Sequence, residues 1–580
     1  MNVTTKQKVP RVSLFFAGLL LPALQLLGGC AGQVMPSGGP ADTIPPSIVR
    51  SYPDSDAVHV IPDRIELEFG EYVDRRSVED AVFISPFVGQ LEFEWSGTEV
   101  TVRFPEQLRK NTTYVVTVGT DVADIRAGNK MAHAYSLAFS TGDSIDHGVI
   151  SGRVFDEHPD GVMIFAYNLR EMGGDTLNPS HTRSQYIMQT GKDGSFRLKN
   201  IAFGPYRVIA VRDEYRNLVY DREIDQYGVA SRDVLVSDGH PEVRDLWFRM
   251  AKEDTTRPFL TSVTAIDRRH LLVRFSEPVD TLAFPHAVFA LHDTTKSLSV
   301  GIAAVYQNMG NQALAGVETR DLLDSTSGYR LIVRGIIDRA GNMLDSNNAS
   351  STFAGTPVPD TARPYPQVRG ITDSTRGMDL RPAFEMDFGR PLDLGGIMRG
   401  VVLVDSNAHG VPVSVRPRSS AEVFVAPETP LKPFAWYTLR VALDSVRDSR
   451  GQRYRDSTYR LRFQTLDARA LGTVEGTIIG ASGAYAVILM AVTTEVNPQR
   501  IVSRRLDHAG KFQIDQLPEL RYNLQAFEDV DGDGKFRAGL PYPFTPSARF
   551  AVGADTIKVR ARWSVEGVEV KFPQEEGSAR

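Results

Sequence analysis

Glu528-Asp529-Val530-Asp531-Gly532-Asp533-Gly534-Lys535-Phe536 puts three carboxylates at alternate positions of a sharply turning segment. Hard cations take several oxygen ligands from such a backbone. Asp529, Asp531 and Asp533, followed by Gly534 and then the apolar Phe536, match the first half of a calcium loop. The position where a bidentate Glu would complete the loop is Leu540, and the flanks read as strands rather than helices. The corresponding part of an earlier related segment, Asp213-Glu214-Tyr215-Arg216-Asn217, lacks the acidic triplet. Weak calcium binding and a solvated Asp/Gly hairpin both fit. No other segment calls for a cofactor.

Cys30 is the other chemically distinctive residue, the only cysteine among 580 residues. No internal disulfide can form, so each folded unit must rest on its own apolar core. Lys6, Lys8 and Arg11 precede an uncharged apolar run from Val12 to Leu27, and Gly28 and Gly29 come just before the cysteine. A basic start, a short apolar stretch and small residues at a cut site make a secretory signal. The run falls short of the ~20 residues a spanning helix needs. Leu27-Gly28-Gly29-Cys30 resembles the lipobox of bacterial lipoproteins. That resemblance implies export, cleavage before Cys30 and acylation of its thiol, with the membrane as a partner through the lipid. Residues 1–29 are then a signal peptide, and the Gly- and Pro-rich stretch 30–46 is a tether. Ala31 stands where some bacteria place an Asp for inner-membrane retention, which points to the outer membrane; which side the chain faces stays open.

Enzymatic signatures are scarce. The chain holds no H-E-x-x-H, no G-x-S-x-G and no G-x-x-x-x-G-K-[ST]. Its 11 His are spread over separate segments, and a formal charge of −6 without a basic stripe opposes nucleic-acid binding. Trp95, Trp247, Trp436 and Trp563 all lie in strand-like runs, where core packing is the expectation rather than a sugar-stacking platform.

These residues must be positioned by repeats. Three junctions share one signature: Asp42-Thr43-Ile44-Pro45-Pro46, Asp254-Thr255-Thr256-Arg257-Pro258 and Asp360-Thr361-Ala362-Arg363-Pro364. Each leads to an alternating strand, Ile65 to Phe69, Leu271 to Phe275 and Phe384 to Phe388. Each strand enters a related turn, Gly70-Glu71-Tyr72-Val73-Asp74, Ser276-Glu277-Pro278-Val279-Asp280 and Gly389-Arg390-Pro391-Leu392-Asp393. Strands led by Tyr114, Tyr329 and Tyr437 follow, then Gly-containing turns opened by Asp124, Asp338 and Asp448. The shared Asp is expected to bond backbone N–H groups rather than a metal. These features resemble the bacterial Ig-like domain of S-layer-type and lipoprotein chains. The resemblance implies sandwiches at 47–143, 255–357 and 361–467, the last departing from the pattern at Arg390.

A second repeat lies between and after these. Gly194-Ser195-Phe196-Arg197-Leu198 pairs with Gly510-Lys511-Phe512-Gln513-Ile514, and at the same offset Tyr206 pairs with Tyr522, Ala210 with Ala526 and Asp213 with Asp529. The D-x-x-G-x-F strand followed by Gly-Pro-Tyr is similar to the carboxypeptidase-regulatory, transthyretin-like β-sandwich, here at 148–252 and 471–572.

The expected fold class is all-β, with tandem Ig-like and transthyretin-like β-sandwiches behind a lipoprotein signal peptide. The whole is similar to Ig-like-domain lipoproteins of Gram-negative bacteria. That implies a non-enzymatic, lipid-anchored envelope protein acting as a multidomain spacer or binding scaffold, with an envelope protein or glycan as partner. A surface adhesin and a hydrolase with an unrecognised site are the alternatives. Exposed aromatics on one face would favour the first. Paired carboxylates of perturbed pKa in a pocket would favour the second.

Overall fold

Short alternating segments bury one face each, and in this chain they assemble into five successive two-layer β units. The computed structural model describes residues 42–307, 311–453, 457–496 and 499–574. Cys30 and the lipobox residues Leu27, Gly28 and Gly29 lie outside the described residues. Among the described residues no helix is long and apolar enough to cross a membrane.

Unit one packs an antiparallel sheet of Ile48–Tyr52, Arg64–Phe69, Glu99–Arg103 and Glu92–Ser96 on a second of Val82–Ser85, Thr113–Val118 and Tyr135–Ser140. Ile65, Leu67 and Phe69 alternate inward with Val100 and Val102, and meet Val116, Val118, Leu137 and Phe139 from the other layer. Polar Glu66 and Glu68 take the outer face, as period-two alternation requires. Units three and four repeat the plan. Their central inner strands, His270–Phe275 and Phe384–Asp387, each pair with a neighbour on both sides.

Units two and five share a different topology. In each, a three-stranded sheet has its last strand parallel to its first: Glu242–Arg249 beside Gly148–Phe155, and Ser564–Lys571 beside Leu471–Ile479. The parallel partner shifts register in both sheets. At that shift a Cβ on Gly152 would collide with the carbonyl oxygen of Leu246, and one on Gly476 with that of Val568. Only glycine lets the backbones approach so closely, which is why the same residue recurs at the same place in both copies.

The units do not run out as separate beads. Unit five folds back onto unit two. Leu540 and Phe544 pack on a cluster of unit two that includes Phe165, Tyr167, Ile209 and Tyr227. The Arg207 guanidinium sits 3.7 Å from the centre of the Phe544 ring and is held there by Asp233 at 2.7 Å. Phe550 meets Phe155 at 5.4 Å and Trp247 at 5.8 Å between ring centres. Polar groups are also paired across the contact: Tyr227 Oη donates to the Gly539 carbonyl at 2.9 Å, and Arg249 donates to Gln525 Oε1 at 2.6 Å. Arg249 lies over the faces of Phe536 and Phe550, and burial lowers its pKa. Trp247 therefore fills a contact between units rather than the core of one. Trp563 departs from the core expectation altogether, being 70% exposed.

Limited proteolysis is expected to cut near 143–148, 252–257, 357–361 and 466–471. The fragments carrying units two and five should nevertheless elute together under native conditions. Leu540→Ala with Phe544→Ala removes apolar contact worth about 2–4 kcal/mol and should release them. Separate elution of the unaltered fragments would count against the docking.

Candidate functional site

The Asp/Gly loop lies between Arg521–Glu528 and the segment that docks on unit two. Asp529 is buried at the loop base, where it pairs with Arg505 and accepts the Gly534 N–H at 3.0 Å. Asp531 pairs with Arg537 at 3.1 Å, and Asp533 accepts the Lys535 N–H at 2.9 Å. Each of the three carboxylates thus has a separate partner. They are not among the groups of acids and imidazoles whose ligand atoms converge within 4.8 Å.

Two such groups converge among the described residues: Asp254, Glu277 and Asp338, and Asp267, His270 and Asp360. The first arises directly from the repeat. The junction Asp, the Glu of the strand-turn and the Asp of the late turn meet at one end of unit three. Asp338 is buried and accepts the Asn342 N–H at 2.8 Å. Its counterparts do the same: Asp124 accepts from Ala127, Gly128 and Asn129, and Asp448 from Arg450 and Gln452. Burial raises the Glu277 pKa, and the charges of Asp254 and Asp338 add to the effect. Glu71 in unit one is raised for the same reasons, by burial and then by Asp42 and Asp124.

In unit four Arg390 replaces that Glu, and the electrostatics invert. Its guanidinium donates to Asp360 at 2.6 Å and reaches into unit three, where it donates to Asp267 at 2.9 Å. His270 Nδ1 lies 2.9 Å from Asp267 on the same network. Burial works against ionising Asp267. The hydrogen bonds from His270 and from backbone N–H groups nevertheless hold its carboxyl well below the usual range. Arg450 pairs with Asp360 at 2.8 Å, and Ser449 donates to Glu318 of unit three at 2.5 Å. The second converging group is therefore already filled by a guanidinium and serves as a buried joint between two units.

Beside this joint, Asp387 and Glu422 face each other across adjacent strands, 8% and 4% exposed. Burial pushes Glu422 up to about 7, and Asp387 is the next cause. In unit one the equivalent pair, Glu68 and Glu99, shares Arg50 at 2.9 and 3.7 Å. Unit four has Gln367 at the place of Arg50. Glu422 has the raised pKa that catalytic acids show, but the pair is sealed and does not line the cleft between units one and two.

That cleft, of about 820 Å³, lies between units one and two. Its walls include apolar Phe83, Val88, Leu91 and Ile187. At its rim Arg216 pairs with Asp80 at 2.7 Å, Lys130 with Asp121 at 2.8 Å, and Arg183 covers the half-exposed Phe87 ring at 5.0 Å. An apolar floor beneath paired charges and one accessible ring is a surface that can hold a ligand. Sequence reasoning missed it because its residues come from two different repeats.

Glu422 supplies a pH test. Its folded pKa of about 7 exceeds the ordinary 4.5, so the folded state holds the extra proton between those values. Its contribution to stability is complete below about pH 4.5 and lost as pH rises through 7. Glu422→Gln should flatten the fall in melting temperature between pH 5 and 8, worth on the order of 2 kcal/mol. An unchanged pH profile would show that Glu422 ionises normally.

No curated protein sequence matches this chain. Among solved structures it is similar to domains 1–6 of the surface layer protein SbsC, at 9% identity over 90% of this chain and 67% of that one, with a TM-score of 0.17. The N-terminal part of the bacterial S-layer protein SbsC shares 16% identity over 36% of this chain and 44% of that one, less than half its length, with a TM-score of 0.16. BcpA, the major pilin subunit of Bacillus cereus, shares 9% identity over 74% of this chain and all 100% of its own, with a TM-score of 0.13. Likeness of that size says nothing about what this chain binds. A family model described as bacterial Ig-like domain matches residues 42–141, so unit one is a bacterial Ig-like domain.

Proposed function

We propose that the chain is a non-enzymatic scaffold of the bacterial cell envelope, held to the outer membrane by a lipid on Cys30. The observation that carries the scaffold reading is the fold-back of unit five onto unit two through Phe544, Phe550 and Trp247. A chain acting as a plain spacer gains reach from every unit, and this contact gives reach away in exchange for a fixed shape. Units two and five are read as carboxypeptidase-regulatory-like sandwiches, supported by their shared topology and glycines. The cleft between units one and two supports a binding role, with an envelope protein or glycan as the partner class. The same cleft is what the adhesin alternative would use.

Calcium enters this reading only as a weak competitor. At Asp529, Asp531 and Asp533 it would have to displace Arg505 and Arg537. Affinity in the roughly 10⁻⁴–10⁻³ M range of extracellular modules is the expectation. A melting midpoint of the mature chain that rises in millimolar calcium, and fails to rise for Asp531→Ala, supports it. An unmoved midpoint removes calcium from the reading.

The anchor is tested in cells. Cys30→Ser should abolish fatty-acid incorporation and shift the protein out of the membrane fraction or leave unprocessed precursor. A variant still acylated and membrane-bound sinks the anchoring reading. Small-angle scattering then tests the scaffold: Leu540→Ala with Phe544→Ala should enlarge the radius of gyration. If wild type is already as extended as that variant, the spacer form is the better one.

A further inference from the structure

One end of the Ig-like repeat serves as a docking face in unit four. In unit four, that end reaches unit three through Ser449 and Arg390, which contact Glu318 and Asp267. The end is built from three pieces in every copy: the junction segment, the strand-turn and the late Asp/Gly turn. In unit one the three pieces are tied together by backbone and side-chain bonds. The Ile125 N–H donates to the Tyr72 carbonyl at 3.1 Å, and Asn129 Nδ2 donates to the Asp42 carbonyl at 3.1 Å and the Ile44 carbonyl at 3.5 Å.

No folded unit precedes unit one among the described residues, and its end exposes apolar side chains. Ile44 is 71% exposed, Tyr72 60% and Ile125 62%. The matching residues are Thr256, Pro278 and Arg339 in unit three, and Ala362, Pro391 and Ser449 in unit four; the bridges Val73–Asp124, Val279–Asp338 and Leu392–Asp448 fix the correspondence. Unit four, whose end meets unit three, thus has Ala362, Pro391 and Ser449 at these positions. At the same positions unit one carries two isoleucines and a tyrosine, which water alone does not favour.

The tether limits what can cover it. Cys30 lies about a dozen positions before Asp42, a span of at most about 40 Å when fully extended. Resting on the anchoring reading above, we infer that the end of unit one formed by Ile44, Tyr72 and Ile125 docks on the lipid surface into which Cys30 is anchored. Isoleucine enters the acyl boundary, and tyrosine suits it because an apolar ring carries a polar tip. The segments that carry the patch hold both signs of charge, with Asp42, Glu71 and Asp74 beside Arg75, Arg76 and Arg126. Docking is therefore driven by apolar contact and depends little on anionic lipid.

Hydrogen exchange tests this. The lipidated chain in phosphatidylethanolamine–phosphatidylglycerol vesicles is compared with the same chain lacking Cys30, free in solution. Peptides covering residues 71–74 and 122–128 should exchange at least fivefold more slowly on vesicles, while the matching peptides 277–280 and 336–342 of unit three stay unchanged. Tyr72→Asp with Ile125→Asp should erase the protection and leave flotation with vesicles intact. A chain that floats but shows no protection overturns the docking and leaves the anchor standing. Equal protection in the free chain means that the chain's own residues cover the patch, and protection that grows with protein concentration means that a second copy does; either overturns the proposal. A chain that neither floats nor takes up fatty acid defeats the anchoring reading instead. Its Cys30 thiol is then coupled to a maleimide lipid, and the same exchange comparison decides the docking.

Discussion

Tyr227 and Gly539 are bonded to each other across 312 residues of chain. That contact, with the aromatic cluster around Phe550, turns units two to five into a closed path. Closing a long loop loses chain entropy, though the loss grows only slowly with length. The more demanding requirement is geometric. Every junction inside the loop must hold an angle that brings unit five back to unit two. The buried joint between units three and four meets this requirement. Arg390 is forked between Asp267 on one side and Asp360 on the other, and a fork fixes orientation where a point charge would not. Buried ion pairs add little net stability, because desolvation offsets their attraction. Here the pair's contribution is better understood as fixing one geometry.

Divergence within the repeat shows how one backbone accommodates different electrostatics. Glu71, Glu277 and Arg390 occupy the same turn. In units one and three the carboxyl sits with two aspartates, and its affinity for a proton rises. In unit four an arginine supplies the missing positive charge and takes a partner from the neighbouring unit. A cross-strand pair diverges likewise. Glu68 and Glu99 share Arg50, while beside Asp387 and Glu422 the matching place holds Gln367, and Glu422 is driven toward its neutral form.

The layers of each sandwich were legible from the chain because alternation is local. Ile65, Leu67 and Phe69 declare a buried face within five residues, and the same spacing recurs at Leu271 and Phe384. The segments at Gly194 and Gly510 marked the two copies of the other topology, whereas the close approach of Gly152 and Gly476 to a parallel strand became visible only in the fold. The fold-back was not legible. Phe155 and Trp247 lie on strands whose inner faces are already explained, and their outward contacts carry no period of their own. Phe544 sits in a loop that composition marks only as Pro-rich. The acidic loop illustrates the converse. Asp529, Asp531 and Asp533 have a cation-binding spacing, but Arg505 arrives from a neighbouring strand that no local pattern could identify as its partner.

Closure also decides which parts of the molecule bear a load. A pull applied between the start of unit one and the end of unit five has two routes. One runs through the peptide chain of units three and four. The other passes directly across the contact of Phe544 and Phe550 with unit two. The second is shorter and takes the tension first, so units three and four hang beside the stressed path as a slack side branch. They would be drawn into line only after the aromatic contact parts, and the chain would then lengthen abruptly, with those two sandwiches still folded.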